Sequence, residues 1–265
     1  SKKKRKRRDH EASPLSSHNE YTHFPKSDDC EVCKDVKRQK APCRSRPDPE
    51  PDSLPEAKKF ADSVTADHAL INEANQSRNQ DRIALIIQDR KTMWLQGFPC
   101  KTKSAPETVS CFQRFLGPQV QAKHVYTDGS PEFRKAMRLL GFCHDTSTPH
   151  RPQTNGVAER AVRRVKEGTS AALLQSGLHE CWWSYAMMCY CMLRNCVDIL
   201  ACGHTAYFNR FGVNFPGTLI PFGAEINYKP ASPKDLKRMP TFGSRVLPGL
   251  FVGYQQQAGG GWSGD

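Results

Sequence analysis

Five consecutive apolar residues, Ile83-Ala84-Leu85-Ile86-Ile87, constrain the fold of this chain more than any other stretch. The run is β-rich, continuous and short, so it reads as a strand. Its neighbours extend the pattern. Residues 61–68 form a first strand, 89–92 a turn, and 93–98 a third strand pairing back. Ser104 is a candidate N-cap with Glu107 three residues on, the pattern of a capping box. Val109, Phe112, Phe115 and Leu116 then give a helix its apolar stripe, and Gly117-Pro118 ends it. Further on, 123–127 reads as a strand, 131–140 as a short helix stopped by Gly141, and 142–145 as a fifth strand. Two long helices, about 155–175 and 179–200, complete the order β-β-β-α-β-α-β-α-α. This is an α/β core around a five-stranded mixed sheet flanked by helices.

The core occupies residues 58–202 in this reading. Ahead of it lie a basic arm (1–12, expected to be disordered), a His- and Cys-bearing module (13–44) and a Pro-rich linker (45–57). A small β-rich region follows (203–265), with β-like runs at 224–228 and 246–254. No internal repeat is visible.

Lys and Arg number 39 against 27 Asp and Glu, a net charge of +12. So basic a balance favours a polyanionic partner, either nucleic acid or an anionic membrane surface. The membrane reading is the weaker. The most apolar stretch, 182–193, is flanked closely by Glu180, Arg194 and Asp198. It falls short of the roughly 20 residues of a spanning helix, so it reads as a buried helix. No signal peptide is visible. The 11 cysteines are odd in number and irregular in spacing, which argues against a secreted disulfide scaffold. Cys189, Cys191 and Cys196 read as small core residues. Only Cys30 and Cys33 have a metal-like spacing. The run Lys2 to Arg8 reads equally as a nuclear import signal and as a solvated charge run.

Two carboxylates lie near predicted strand ends, Asp67 after Val64-Thr65-Ala66 and Asp128 after Val125-Tyr126-Thr127. On neighbouring strands they would converge at one edge of the sheet. Glu159 falls in the first turn of the long helix. At about 100° per residue, Val157, Ala161 and Val165 share one face, and Glu159, Arg163 and Lys166 cluster on the other. Three carboxylates suit a hard ion such as Mg²⁺ or Mn²⁺. A two-ion site activates a hydroxyl or water for attack on a phosphodiester, and adjacent bases hold the phosphate backbone. Taken singly, each acid more often serves a turn, a cap or a helix dipole. The case rests on the words around them.

Those words are Tyr126-Thr127-Asp128-Gly129-Ser130-Pro131-Glu132-Phe133 and Pro149-His150-Arg151-Pro152-Gln153-Thr154-Asn155-Gly156-Val157-Ala158-Glu159-Arg160. They resemble the second and third acidic motifs of retroviral and retrotransposon integrases, the second word being most like copia-type elements. The resemblance implies an RNase H-like fold and polynucleotidyl transfer with two Mg²⁺ or Mn²⁺ ions: 3′-end processing and strand transfer of element DNA into host DNA. It implies Asp67, Asp128 and Glu159 as the metal-binding triad, with Asp62 a rival to Asp67. Arg160, Arg163 and Lys166 become DNA contacts, and Gln153 and Asn155 lie in the loop beside the site. It further implies assembly as a homo-oligomer on DNA and a nuclear location.

His18, His23, Cys30 and Cys33 resemble the family's HHCC zinc module in miniature, with His10 and Cys43 as alternative ligands. The tail words Ile220-Pro221-Phe222-Gly223-Ala224-Glu225 and Leu250-Phe251-Val252-Gly253-Tyr254 resemble the region after the core in copia-type polyproteins. One departure stands out. Thirty residues separate Asp128 from Glu159, where the family usually has thirty-five. This is either a lineage feature or a lesion. Competing readings are therefore a degenerate or domesticated copy that binds nucleic acid without catalysis, a zinc and basic-arm binding module on a structural core, and a ribonuclease H proper.

Overall fold

A computed structural model describes residues 17–38, 56–146, 156–262 and 264. The basic arm, most of the Pro-rich linker, and the positions Gln153, Asn155, His10 and Cys43 lie outside the described residues. The elements run α1 (Glu31–Val36), β1 (Val64–Leu70), β2 (Ile83–Asp89), β3 (Leu95–Cys100), α2 (Ala105–Leu116), β4 (His124–Thr127), α3 (Pro131–Leu140), β5 (Cys143–Thr146), α4 (Gly156–Ser176), α5 (Trp183–Val197), α6 (Ala206–Phe211), β6 (Glu225–Tyr228), α7 (Pro233–Leu236) and β7 (Leu247–Leu250).

Five strands form one mixed sheet in the order β3-β2-β1-β4-β5. β2 is antiparallel to β1 and β3, whereas β1, β4 and β5 run parallel. Every residue of β2 is buried, which is why its sequence reads as an unbroken apolar run. Alternate side chains of the central strands feed two cores. Val64, Ala66, Ile83, Leu85 and Ile87 pack with Phe112, Phe115 and Phe133 from α2 and α3. Ala69, Ala84, Ile86 and Leu95 pack with Ala161 and Val165 of α4 and Met187 and Tyr190 of α5. Helices thus cover both faces of the sheet, the RNase H-like architecture. α4 crosses α5 so closely that a Cβ on Gly168 would lie 2.0 Å from the Tyr190 ring. β6 and β7 form a separate two-stranded sheet.

Several boundaries depart from the sequence reading, each for a local reason. β3 starts at Leu95 because the preceding turn is tied to Asp89. The buried Asp89 carboxylate accepts from Thr92 N (2.7 Å), Thr92 Oγ1 (2.7 Å) and Lys91 N (3.1 Å). The capping box at Ser104 does not form. Ser104 makes no side-chain cap bond, and Glu107 reaches further back, to Thr102 N (2.8 Å) and Thr102 Oγ1 (2.6 Å). The last long helix opens with a 3-10 turn, Glu180–Trp182, before α5. α5 is the buried helix anticipated, with Cys189 and Cys191 inside it and Cys196 partly buried. Among the described residues, no helix is long and apolar enough to cross a membrane.

Candidate active site

β1 and β4 pair in parallel with Val64 opposite Val125 and Thr65 opposite Tyr126. Carried two residues on, the same register sets Asp67 level with Asp128. Level residues on parallel neighbours point to one face, and strands sit about 4.8 Å apart. Asp67 shares its parity with Ala69, which packs on the α4–α5 side. Asp67 is the fourth residue of the seven-residue β1, not its end as the sequence suggested, and is partly buried. Asp128 lies just past β4. Its Oδ1 accepts the Ser130 N–H at 3.2 Å, which shapes the turn into α3.

Glu159 stands exposed in the first turn of α4. Arg163 and Lys166 are exposed on the same helix, and Arg163 lies 4.0 Å from Glu167. Ala161 and Val165 are buried against the sheet, as the helical angle requires, whereas Val157 is only partly covered.

Asp128 and Glu159 act on Asp67 through charge. Burial raises the Asp67 carboxyl most, the Asp128 charge adds to it, and Glu159 contributes further. A backbone hydrogen bond at His68 and the Lys103 ammonium oppose them, and the balance pushes Asp67 up to about 6. Asp62, the rival candidate, belongs to a different place. Its carboxylate accepts from Lys58 N and Lys59 N (3.0 Å each) and pairs with Lys123 at 2.8 Å, which holds it down at about 2.

The Asp67 shift has a stability consequence with a definite sign. A raised carboxylate stabilises the fold while protonated. That contribution is complete below the ordinary value of about 3.9 and is lost as pH rises through about 6. Asp67→Asn cannot ionise. In EDTA it should therefore gain on the unsubstituted chain as pH rises, by about 1–2 kcal/mol at pH 7.5 after discounting for solvent screening. Urea unfolding at pH 4 and 7.5 reads this directly. An equal effect at both pH values would show that Asp67 carries no such charge strain.

A second cluster lies near the N-terminus. Ligand atoms of His18, His23, Cys30 and Cys33 all fall within 4.8 Å of one another. Each imidazole has one nitrogen engaged. His18 Nδ1 meets Pro25 O at 2.7 Å, and His23 Nε2 meets Gln175 Oε1 of α4 at 3.1 Å. The opposite nitrogens are thereby directed to the cluster, the way outer hydrogen bonds orient metal-binding histidines. His23 Nδ1 lies 3.4 Å from Cys30 Sγ. Two imidazoles and two thiols at this spacing fit a tetrahedral zinc site. No other group of three or more His, Cys, Asp or Glu among the described residues is drawn together in this way, so Asp67, Asp128 and Glu159 are not gathered as the His and Cys cluster is.

This N-terminal segment docks on the core through Asp198, which is 2 % exposed. Thr22 Oγ1 donates to Asp198 Oδ1 at 2.5 Å and Asn19 Nδ2 at 3.5 Å. The buried Lys37 ammonium donates to His23 O at 2.7 Å. Burial pushes the Asp198 carboxyl up, against the positive charges of Arg194 and Arg164.

Comparison with known proteins follows the same line. Over 116 residues the chain is 30% identical to the retrovirus-related Pol polyprotein from transposon RE1 of Arabidopsis thaliana, which covers 42% of this chain and 8% of the relative. The corresponding polyprotein from transposon RE2 of the same plant is 30% identical over 111 residues, 40% of this chain and 8% of the relative. Its relatives are the Pol polyproteins of copia-type retrotransposons. The chain thus spans only a small fraction of the length of the Pol polyproteins it matches. No protein-family model matches it. Among solved structures, the HTLV-2 integrase catalytic core domain in complex with magnesium is similar at 16% identity and a TM-score of 0.46, over 58% of this chain and 99% of that one.

The sequence patterns did not single out Lys103. The residue sits just ahead of α2, and its charge acts on Asp67, His68 and Glu132. The signal was there: a cation beside a helix N-terminus opposes the helix dipole and calls for a compensating partner. His68, adjacent to Asp67, points to the other face. Its ring lies 4.4 Å from that of Phe133, and burial together with Lys103 lowers it to about 4, so it is neutral at pH 7.

Proposed function

We propose that this chain is the integrase segment of a retrotransposon Pol polyprotein, a polynucleotidyl transferase that processes element 3′ ends and joins them to host DNA. The reading rests on the parallel pairing of β1 with β4, whose register extended past the end of β4 would set Asp67 level with Asp128, and on the charges of Asp128 and Glu159 acting on Asp67. Oxygen donors of this kind suit Mg²⁺ or Mn²⁺, which would activate the attacking oxygen and stabilise the leaving one. Asp67, Asp128 and Glu159 are the ligands in this reading. Their mutual repulsion favours a cation over three bare charges. Arg160, Arg163 and Lys166 on α4 hold the phosphate backbone, with Gln153 and Asn155 contributing from the loop outside the described residues. Zinc at His18, His23, Cys30 and Cys33 fixes the N-terminal module. A homo-oligomer on paired DNA ends and a nuclear location belong to the same proposal.

The test is direct. The full chain is incubated with a DNA end bearing a free 3′-hydroxyl and a plasmid target, in Mg²⁺ or Mn²⁺ and in EDTA. Covalent joining that needs the divalent ion supports the reading. Joining that persists in EDTA overturns it. DNA binding with no joining in either ion establishes the second reading, a copy that binds without catalysis. The 30-residue interval between Asp128 and Glu159 favours that alternative.

A further inference from the structure

The core carries a second basic surface, at the far end of the strands that bear the acids. A groove of about 840 Å³ is lined there by Lys58 and Lys59 ahead of β1, Lys91 in the β2–β3 turn, Lys123 ahead of β4, and Arg210 of α6. Lys123 is paired with Asp62, the groove's single acidic side chain. Lys58, Lys59 and Lys91 are exposed, and no ion pair engages their ammonium groups among the described residues. Four separate chain segments therefore bring cations to one concavity, against Coulomb repulsion that folding alone gives no reason to accept.

The groove wall supplies an independent indication. The Arg210 guanidinium lies 3.7 Å over the Phe60 ring and 4.7 Å from that of Trp94. Its Nη2 donates to Phe115 O at 3.1 Å, but its buried Nη1 has no hydrogen-bond partner. Held by these rings and this carbonyl, Arg210 adds a fixed positive charge behind the lysines of the groove.

We propose that this groove is a second nucleic-acid contact, taking the phosphodiester backbone of a DNA segment other than the one at the acids. Lys123 and Asp128 sit at opposite ends of β4, roughly 16 Å apart at 3.3 Å per residue. A strand held in the groove therefore leaves the acidic face open. The occupant is a polynucleotide because its backbone offers successive phosphates, one per strand for each 3.4 Å or so of helix axis, to several separate cations at once. The site holds whether or not the acids catalyse joining, since it concerns binding alone.

The test is fluorescence anisotropy of the full chain with a labelled duplex, without Mg²⁺ or Mn²⁺, at several salt concentrations. The variant Lys58→Glu/Lys59→Glu/Lys91→Glu removes three groove cations. A control, Lys229→Glu/Lys234→Glu/Lys237→Glu, makes the same charge change on exposed lysines outside the groove. The groove variant should bind at least about tenfold more weakly, with its log–log salt slope reduced by about 2.7, or 0.9 per lost phosphate contact. The control slope should stay near that of the unsubstituted chain. Equal slopes for the two variants would leave the groove no local role and overturn the proposal. So would tighter binding of poly-glutamate than of duplex DNA, which would assign the groove to an acidic protein.

Discussion

Asp128→Asn is expected to abolish DNA joining while leaving DNA affinity within about twofold. The substitution is nearly isosteric. Its amide oxygen can still accept the Ser130 N–H, so the turn into α3 survives. What disappears is one unit of negative charge beside Asp67. A carboxylate that neutralises cations in a phosphoryl-transfer site acts mainly by electrostatics, and removing one such group costs at least about 100-fold in rate. The basic face of α4 is untouched, so binding and its salt dependence should persist. The same change removes the second-largest cause of the Asp67 shift, so the Asp67 carboxyl should titrate nearer its ordinary value. Glu159→Gln should behave alike, because Glu159 is exposed and its loss from the first turn costs the helix only a few tenths of a kcal/mol. Either variant joining DNA at the original rate in Mg²⁺ would remove the triad from the mechanism.

Asp198→Ala is expected to be the most damaging single change in the core, at about 3–5 kcal/mol. Asp198 is 2 % exposed and receives the Thr22 hydroxyl and the Asn19 amide. Arg194, also 2 % exposed, would remain buried without the Asp198 charge that its own charge acts on. Asp198→Asn should cost less, about 1–2 kcal/mol, because the acceptor for Thr22 is kept and only charge is lost. Urea unfolding measures both values. Limited proteolysis supplies a second readout, since residues 17–38 should be cut faster in the Ala variant than in the core. A loss under about 1 kcal/mol for Ala, with unchanged cleavage, would show that the N-terminal module is not anchored there.

Much of the core was legible because its signals are local. The β2 run, the Gly141 stop after α3 and the 3.6-residue face of α4 each follow from spacing and burial. Asp67 and Asp128 were legible as candidates through the words around them. Their level placement was not, because it is a property of two strands sixty residues apart in the chain. Glu107 shows the limit of a motif: its carboxylate found closer donors in Thr102 than the cap it was spaced for. Lys103 and Asp198 escaped notice because their roles arise from groups brought close by the fold. Arg210 was missed for the same reason, since nothing near it in sequence announces the rings of Phe60 and Trp94.

α4 carries Glu159 in its first turn and Gln175, the hydrogen-bond partner of His23, in its last. They stand sixteen positions apart on the helix, a rod of about 24 Å. The two ends are therefore geared to one shaft. Deleting a single residue midway would rotate the acid about 100° relative to the histidine end, and one half of the helix would turn its buried face away from the sheet. The length of this helix, more than its composition, sets the phase between the cysteine-bearing module and the end of the helix that carries Glu159.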